Sequence, residues 1–309
     1  MTYELNTTIA NLKDLQGSDL RDYDAVYLGD MYCRLYENNF LERLADLKEG
    51  LRILRDQGKR AYVTTYAAPR NDFLPKVRKM LAAAAEGGAE AVEVHNLGVV
   101  RIAHEEFPQL PLHVGGFANV YTAAGVEVLR ELGAVRFTPN YELSLDEIAE
   151  VANESGAAME ILVHGKMPLG VSDYCFLLDY ETKWGTDCPT LCQKELFLKQ
   201  GDWAMKTVGK GVMSGKDVCM LEHLPRLVAE GHRSFRIETL SESAAYRREV
   251  AAVYRAALDR VFAGNDFGDE SWQETLTRHA HVGLCNGFYF GKSGMEYAPS
   301  QRRQSWSSF

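Results

Sequence analysis

The chain has 309 residues, 46% hydrophobic and 25% charged, with a formal net charge of -9. This is an ordinary globular balance with material for a sizeable core, and the acidic excess disfavours a protein held to nucleic acid mainly through phosphate contacts. The start, MTYELNTTIANLKDL, has no basic region followed by an apolar run, and no stretch approaches the roughly 20 apolar residues of a membrane span, so a cytoplasmic chain is expected.

In chain order, short β-rich runs alternate with helical ones. Tyr3 to Asn6 and Asp24 to Gly29 read as strands. Phe40 to Gln57 has Leu41, Leu44, Leu47, Leu51 and Leu54 at helical spacing and stops at Gly58. Arg60 to Thr65 is the next strand, Phe73 to Ala85 a helix, and Ala91 to Val94 a buried strand. Leu112 to Gly115, a helix from Thr122 to Leu132, and Val135 to Thr138 continue the rhythm. Ser144 with Glu147 three residues on opens Leu145 to Asn153 as a capping box. Met159 to Val163 is the seventh strand. Ser214 precedes a helix through Glu230, Ser234 to Ile237 is the eighth strand, and Ser243 to Phe262 a long helix. The aromatic run GLCNGFYFG reads as a last, Gly-flanked strand.

Eight strands alternating with helices predict an α/β fold, a parallel (β/α)8 TIM-like barrel, with an open doubly wound sheet as the alternative. The expected organisation is one barrel domain over residues 1–297, including a cysteine-rich loop at 164–200, and a poorly ordered tail at 298–309.

That loop follows the seventh strand and carries Cys175, Cys188 and Cys192, spaced C-x12-C-x3-C. A loop of such length inside a compact domain is usually functional or held by something external. Six cysteines in a cytoplasmic chain favour thiols or metal ligands over disulfides. Functional groups of such barrels gather at the carboxyl ends of the strands, and Cys33 follows the second strand by a few residues. In an eight-strand ring the second and seventh strands are separated only by the eighth and first, so Cys33 can join the loop as a fourth thiolate. Four cysteines suit a 4Fe-4S cluster or tetrahedral zinc. Only Cys188 and Cys192 form a tight knuckle, which leans toward iron-sulfur. Cys219 and Cys285 are rivals for the fourth place, with core packing the better reading of both.

The blocks Asp24 to Gly29, Asn39-Phe40, Leu97 to Val100, Phe107-Pro108, Glu142 to Ser144, Met159 to Gly165, Ser214 to Asp217 and Tyr254 to Asp259 resemble the collagenase-like peptidase family, numbered thirty-two among the unassigned peptidases. The cysteine set and the Cys285-Asn286-Gly287-Phe288-Tyr289 block resemble its UbiV-like branch, which takes part in oxygen-independent ubiquinone synthesis. Met167 stands where many members have a cysteine, in keeping with that branch. Ile237-Glu238-Thr239-Leu240 replaces the family's Ile-Glu-Gly-Arg, so any role of that arginine is missing here.

The resemblance implies hydroxylation of an aromatic ring of a quinone precursor without dioxygen, with oxygen from an organic donor such as prephenate. It further implies a 4Fe-4S cluster, a UbiU-like partner subunit and a UbiT-like lipid carrier. His113, Asn119, Glu142, His164 and Glu238 lie at or just after strand ends and are expected to line one mouth with the cluster, binding a carboxylated donor or a phenol and moving protons. Each has a plainer reading: a satisfied buried histidine for His113 and His164, a loop residue for Asn119, a helix-start support for Glu142, an ion-pair partner for Glu238. Three other functions compete. Peptidase activity lacks an H-E-x-x-H or G-x-S-x-G motif, hydroxylation of a tRNA or rRNA base sits poorly with the charge, and a non-catalytic cluster-bearing partner remains open.

Overall fold

In the computed structural model, residues 2–33, 39–175, 177, 196–201, 203–265, 267–292 and 294–300 are described. Eight parallel strands close a barrel: β1 (Glu4–Ile9), β2 (Ala25–Leu28), β3 (Arg60–Thr64), β4 (Ala91–Val94), β5 (Leu112–Val114), β6 (Ala134–Phe137), β7 (Ala158–Val171) and, after the three strands of an insertion, β11 (Ser234–Ile237). Closure is explicit in the register, since Ser234 of β11 lies opposite both Glu4 of β1 and Glu160 of β7.

Outside the sheet lie helices α1 (Leu12–Gln16), α2 (Leu44–Asp56), α3 (Leu74–Gly87), α4 (Leu97–Glu106), α5 (Ala123–Glu131), α6 (Leu145–Ser155), α7 (Leu224–Ala229), α8 (Ala244–Phe262) and α9 (Glu270–His279). Local signals start and stop several of them. Ser144 and Glu147 form the expected capping box of α6, Asn96 and Ser243 cap α4 and α8, and α3 and α6 end at Gly88 and Gly156 with left-handed backbone. Leu47, Leu51 and Leu54 of α2, with Val250, Tyr254 and Leu258 of α8, are buried in the core between helices and barrel. Burying side chains of this kind contributes about 1.5–3 kcal/mol each. Helix α2 begins at Leu44, four residues later than its leucine spacing suggested, and α1, α4 and α9 were not expected.

The larger correction concerns residues 164–230. Strand β7 does not stop at Val163 but runs through the start of the supposed loop to Val171. It pairs antiparallel with β10 (Gly211–Cys219), which occupies the stretch expected to be helical, and only α7 remains of that helix. With β8 (Phe197–Gln200) and β9 (Trp203–Val208), these strands build an antiparallel flap beyond the carboxyl end of the barrel. Pairing with an extended β7 overrides a weak helical pattern, as a strand's partners can. The GLCNGFYFG run is a two-residue strand, β12 (Leu284–Cys285), followed by turns. Of the tail, Ala298 N–H donates to Asn286 Oδ1 and Ser300 N–H to Glu222 Oε2, while residues 301–309 lie outside the described residues.

Candidate functional site

Side chains at alternate strand positions point into the barrel, and here they are charged rather than the usual branched aliphatics. At the amino end, Glu4 pairs with Arg60 at 2.8 Å and with Arg136, and Tyr62 donates to its Oε2 at 2.7 Å. One layer up, Glu160 Oε2 accepts from Asn6 Nδ2 at 2.8 Å, Ser234 Oγ at 3.0 Å and Tyr27 Oη at 3.0 Å. Above these, Arg236 Nη2 donates to Glu93 Oε1 at 2.6 Å and lies 2.6 Å from Glu160 Oε1, while its guanidinium carbon sits 4.2 Å from the Tyr27 ring centroid. Burial would raise the Glu93 carboxyl, but Arg236 and then His95 outweigh it and hold Glu93 below the ordinary carboxylate range.

At the carboxyl end this pairing stops. Asp30, Tyr32, His95, Arg236 and Glu238 are all buried. Yet Asp30 Oδ2, Tyr32 Oη, His95 Nδ1, and Arg236 Nε and Nη1 have no hydrogen-bond partner among the described residues. Burial pushes Asp30 up to about 7, against the backbone N–H groups of Tyr32 and Cys33, with Glu238 adding repulsion. Burial likewise pushes Glu238 up to about 7 against the pull of Arg236. A carboxyl poised there exchanges protons near neutrality.

Glycines admit the rings that wall this mouth. A Cβ on Gly115 would stand 2.0 Å from His95 Cε1, and one on Gly116 would stand 2.4 Å from Tyr141 Cε2. Phe117, between them and the rest of the wall, has ring centroids 5.7 Å from Tyr32, 6.0 Å from His95 and 6.3 Å from Tyr141. The flap seats on the mouth in the same way: a Cβ on Gly211 would lie 2.0 Å from Tyr32 Cδ1, and one on Gly209 would lie 2.3 Å from Cys33 Cβ. Val208 and Met213 of the flap join Met31, Tyr32, Cys33, Ala67 and Leu240 in a small apolar cluster apart from the main core.

Two of the four expected ligands meet at this seat. Cys33 Sγ would lie 3.4 Å from a Cβ on Gly209, and Cys175 Sγ is 3.5 Å from Gly209 carbonyl oxygen. Soft thiolates brought to one backbone position suit an iron-sulfur or zinc centre. Cys188 and Cys192 lie outside the described residues, and no group of three metal-binding side chains occurs among the described ones. The rivals are placed as core residues: Cys219 ends β10 rather than starting a helix, and burial pushes both its thiol and that of Cys285 up to about 11.

The five other expected residues do not share one mouth. Glu238 is there. His113 lies mid-strand, its Nδ1 2.7 Å from Tyr27 Oη, and burial, then Arg136, pulls it down to about 3. His164 is buried beside α8, its Nδ1 3.2 Å from Tyr254 Oη, its ring between those of Tyr246 and Tyr254, and burial pulls it to about 3 as well. Asn119 and Glu142 are exposed, Asn119 with left-handed backbone and accepting from Asn140, Glu142 accepting from Tyr121. Asp30, His95, Tyr141 and Arg236 went unread, although the alternation in Ser234-Phe235-Arg236-Ile237 already turns an arginine and a serine to one face. A cavity of about 420 Å³ beside the flap base, lined by Ser241, Glu242, Ser243, Tyr246, His279 and His281, includes none of the expected site residues.

Against known proteins, the sequence model of Peptidase family U32 matches residues 12–299. The tRNA hydroxylation protein P of Haemophilus influenzae is 28% identical, over 95% of this chain and 75% of that protein. An uncharacterized protease of Methanocaldococcus jannaschii is 29% identical, over 86% of this chain and 68% of its own length. Among solved structures, a candidate dihydrodipicolinate synthetase of Pseudomonas aeruginosa aligns with a TM-score of 0.50 and 11% identity, over 90% of this chain and 81% of that one, a likeness of fold alone.

Proposed function

The chain belongs to Peptidase family U32, and from that premise we propose that it is the cluster-bearing subunit of an oxygen-independent hydroxylase acting on an aromatic ring of a ubiquinone precursor. One observation carries the reading: the flap that brings Cys33 and Cys175 together at Gly209 also roofs a buried mouth where Glu238 is poised near neutral pH. The name of the Haemophilus relative supports hydroxylation. Peptidase activity gains no support from the mouth, which holds neither a base-activated nucleophile nor an open metal position among the described residues.

Cys33, Cys175, Cys188 and Cys192 would hold a 4Fe-4S cluster, which when bound supplies one-electron chemistry beside the mouth. The protein's own part is acid-base and steric. Glu238 takes or returns a proton at the ring's oxygen, its Oε1 fixed by Leu240 N–H at 2.8 Å. Tyr32, Phe117 and Tyr141 wall the ring, and the flap excludes water. A UbiU-like chain as partner and a UbiT-like carrier for the lipid tail complete the proposal.

The relatives' names favour a second reading, hydroxylation of an RNA base. A net charge of -9 and a roofed mouth argue for the small ring instead. Cells lacking the protein, grown without oxygen, should accumulate an under-hydroxylated quinone precursor. Unchanged quinones with a missing hydroxyl on tRNA or rRNA would establish the second reading. In protein purified anaerobically, Cys→Ala at 33, 175, 188 or 192 should each remove most of the iron and sulfide, whereas Cys219→Ala and Cys285→Ala should not; zinc in place of iron would end the redox reading.

A further inference from the structure

We infer that Asp30 and Asn39 are positioning residues for the Cys33 thiolate: they preset the backbone of one ligand on the barrel, and the metal centre closes onto it from the flap. Neither the family match nor the relatives' names assign these two residues a role. The inference deepens the proposed function and rests on Cys33 being a ligand.

The two side chains hold opposite ends of the same residue. Asp30 Oδ1 accepts from Tyr32 N–H at 2.7 Å and from Cys33 N–H at 3.4 Å, the turn an aspartate makes with backbone groups two and three residues on. Asn39 Nδ2 donates to Cys33 carbonyl oxygen at 2.9 Å. Both residues are almost wholly buried, at 0% and 1% exposure, where a hydrogen bond is stronger than in water.

Both are also anchored to the barrel rather than to the flap. Gly29, just before Asp30, donates its N–H to Ile9 carbonyl oxygen at 2.9 Å, and its backbone lies so near β3 that a Cβ would stand 2.7 Å from Thr64 carbonyl oxygen. Met31 carbonyl oxygen accepts from Ala67 N–H at 2.9 Å. Asn39 forms an antiparallel bridge with Asn11 just after β1, Phe40 N–H donates to Ala10 carbonyl oxygen at 3.0 Å, and Asn39 Oδ1 accepts from Leu41 N–H at 2.9 Å. The flap meets Cys33 on a third side, where Gly209 lacks the Cβ that would run into Cys33 Cβ and presents its carbonyl oxygen to Cys175 Sγ. Cys33 is thus fixed at its N–H, its carbonyl and its Cβ, which leaves rotation about χ1 as the main freedom of the thiol. A ligand preset in this way loses less freedom when metal binds, and groups that orient metal ligands typically change metal affinity by about 10–100-fold.

Iron and sulfide content, the rate of iron release to a chelator and the EPR line shape of the reduced cluster, all on the full chain purified anaerobically, test the pair. Asp30→Ala and Asn39→Ala should each release iron about 10–100-fold faster than the unaltered chain and change the line shape. Asp30→Asn keeps an oxygen for the two N–H groups and should release iron at the unaltered rate. Tyr62→Phe removes a buried hydrogen bond to Glu4 at the amino end, so it lowers stability away from Cys33 and should change neither release nor line shape. Asp30→Ala is the independent variant where Asn39→Ala does not fold. Unaltered release in both alanine variants, release from Asp30→Asn as fast as from Asp30→Ala, or equally fast release from Tyr62→Phe would overturn the inference. If Cys33→Ala loses its metal while the alanine variants at 30 and 39 keep theirs, the positioning role falls and Cys33 stands as a ligand. If Cys33→Ala keeps its full metal, the ligand reading of Cys33 falls and takes the positioning role with it.

Discussion

The two ends of the barrel interior are built from the same residue types and treat them oppositely. At the amino end and middle, Glu4, Glu160, Arg60 and Arg136 pair with one another, and Tyr27, Tyr62, Asn6 and Ser234 add hydrogen bonds to the carboxylates. At the carboxyl end, Asp30 Oδ2, Tyr32 Oη, His95 Nδ1 and two nitrogens of Arg236 have no hydrogen-bond partner among the described residues, under a roof of apolar and aromatic side chains. Unpaired buried polarity is costly, and its greater share at the carboxyl end, beside Asn6 Oδ1 and Glu160 Oε1 lower down, supports the proposal that substrate binds there.

Removing a partner at the paired end should produce the largest effect. Glu160→Ala takes from Arg136 and from Arg236 one of the two carboxylates that each has, leaving Glu4 and Glu93, and should cost roughly 3–5 kcal/mol in urea unfolding. A loss near that of a surface substitution would mean the network is not what holds the interior. The conservative Glu160→Gln keeps hydrogen bonds to Asn6 and Ser234 and should recover part of the loss.

The roof is the next place to press. Gly211→Ala drives a methyl into the Tyr32 ring and should cost about 1–3 kcal/mol, expressed as protease cleavage in the flap strands β8 to β10 while the barrel's circular dichroism persists. Uniform resistance to protease would show that the flap accommodates the methyl without leaving the mouth.

The smallest effects separate buried histidine from mouth carboxyl by the sign of their pH dependence. His164 has a folded value of about 3 against an ordinary 6.5, so the unfolded chain binds its proton first and stability is lost as pH falls below about 6.5; His164→Gln should remove roughly 1–2 kcal/mol of the difference between pH 7 and 5. Glu238 is shifted upward, from 4.5 to about 7, so the folded chain holds its proton longer and stability declines as pH rises through that window. Glu238→Gln should flatten this decline. Parallel slopes for the two variants would show that the ends do not differ as described.

Much of the barrel was legible because its signals are local. Alternation at Asp24 to Gly29 and Ala91 to Val94, the capping pair Ser144 and Glu147, and the stops at Gly58 and Gly88 each act within a few residues, and the strands lie where those patterns put them. Tertiary structure alone decided the rest. Residues 211–219 have no strong period of their own and became a strand because β7 continues past His164 to receive it. Likewise, an inward-facing arginine at 236 is readable from alternation, but that Glu93 and Glu160 meet it from strands far away in sequence follows from barrel closure, and so does which of its nitrogens stay unpaired among the described residues. His164 shows the converse: its place beside a strand end suggested the mouth, while the register shift between Arg236 and Ile237 and the packing of α8 placed it beside Tyr254. Short-range preferences specify elements, but the partner of a buried charge is fixed only when the sheet closes.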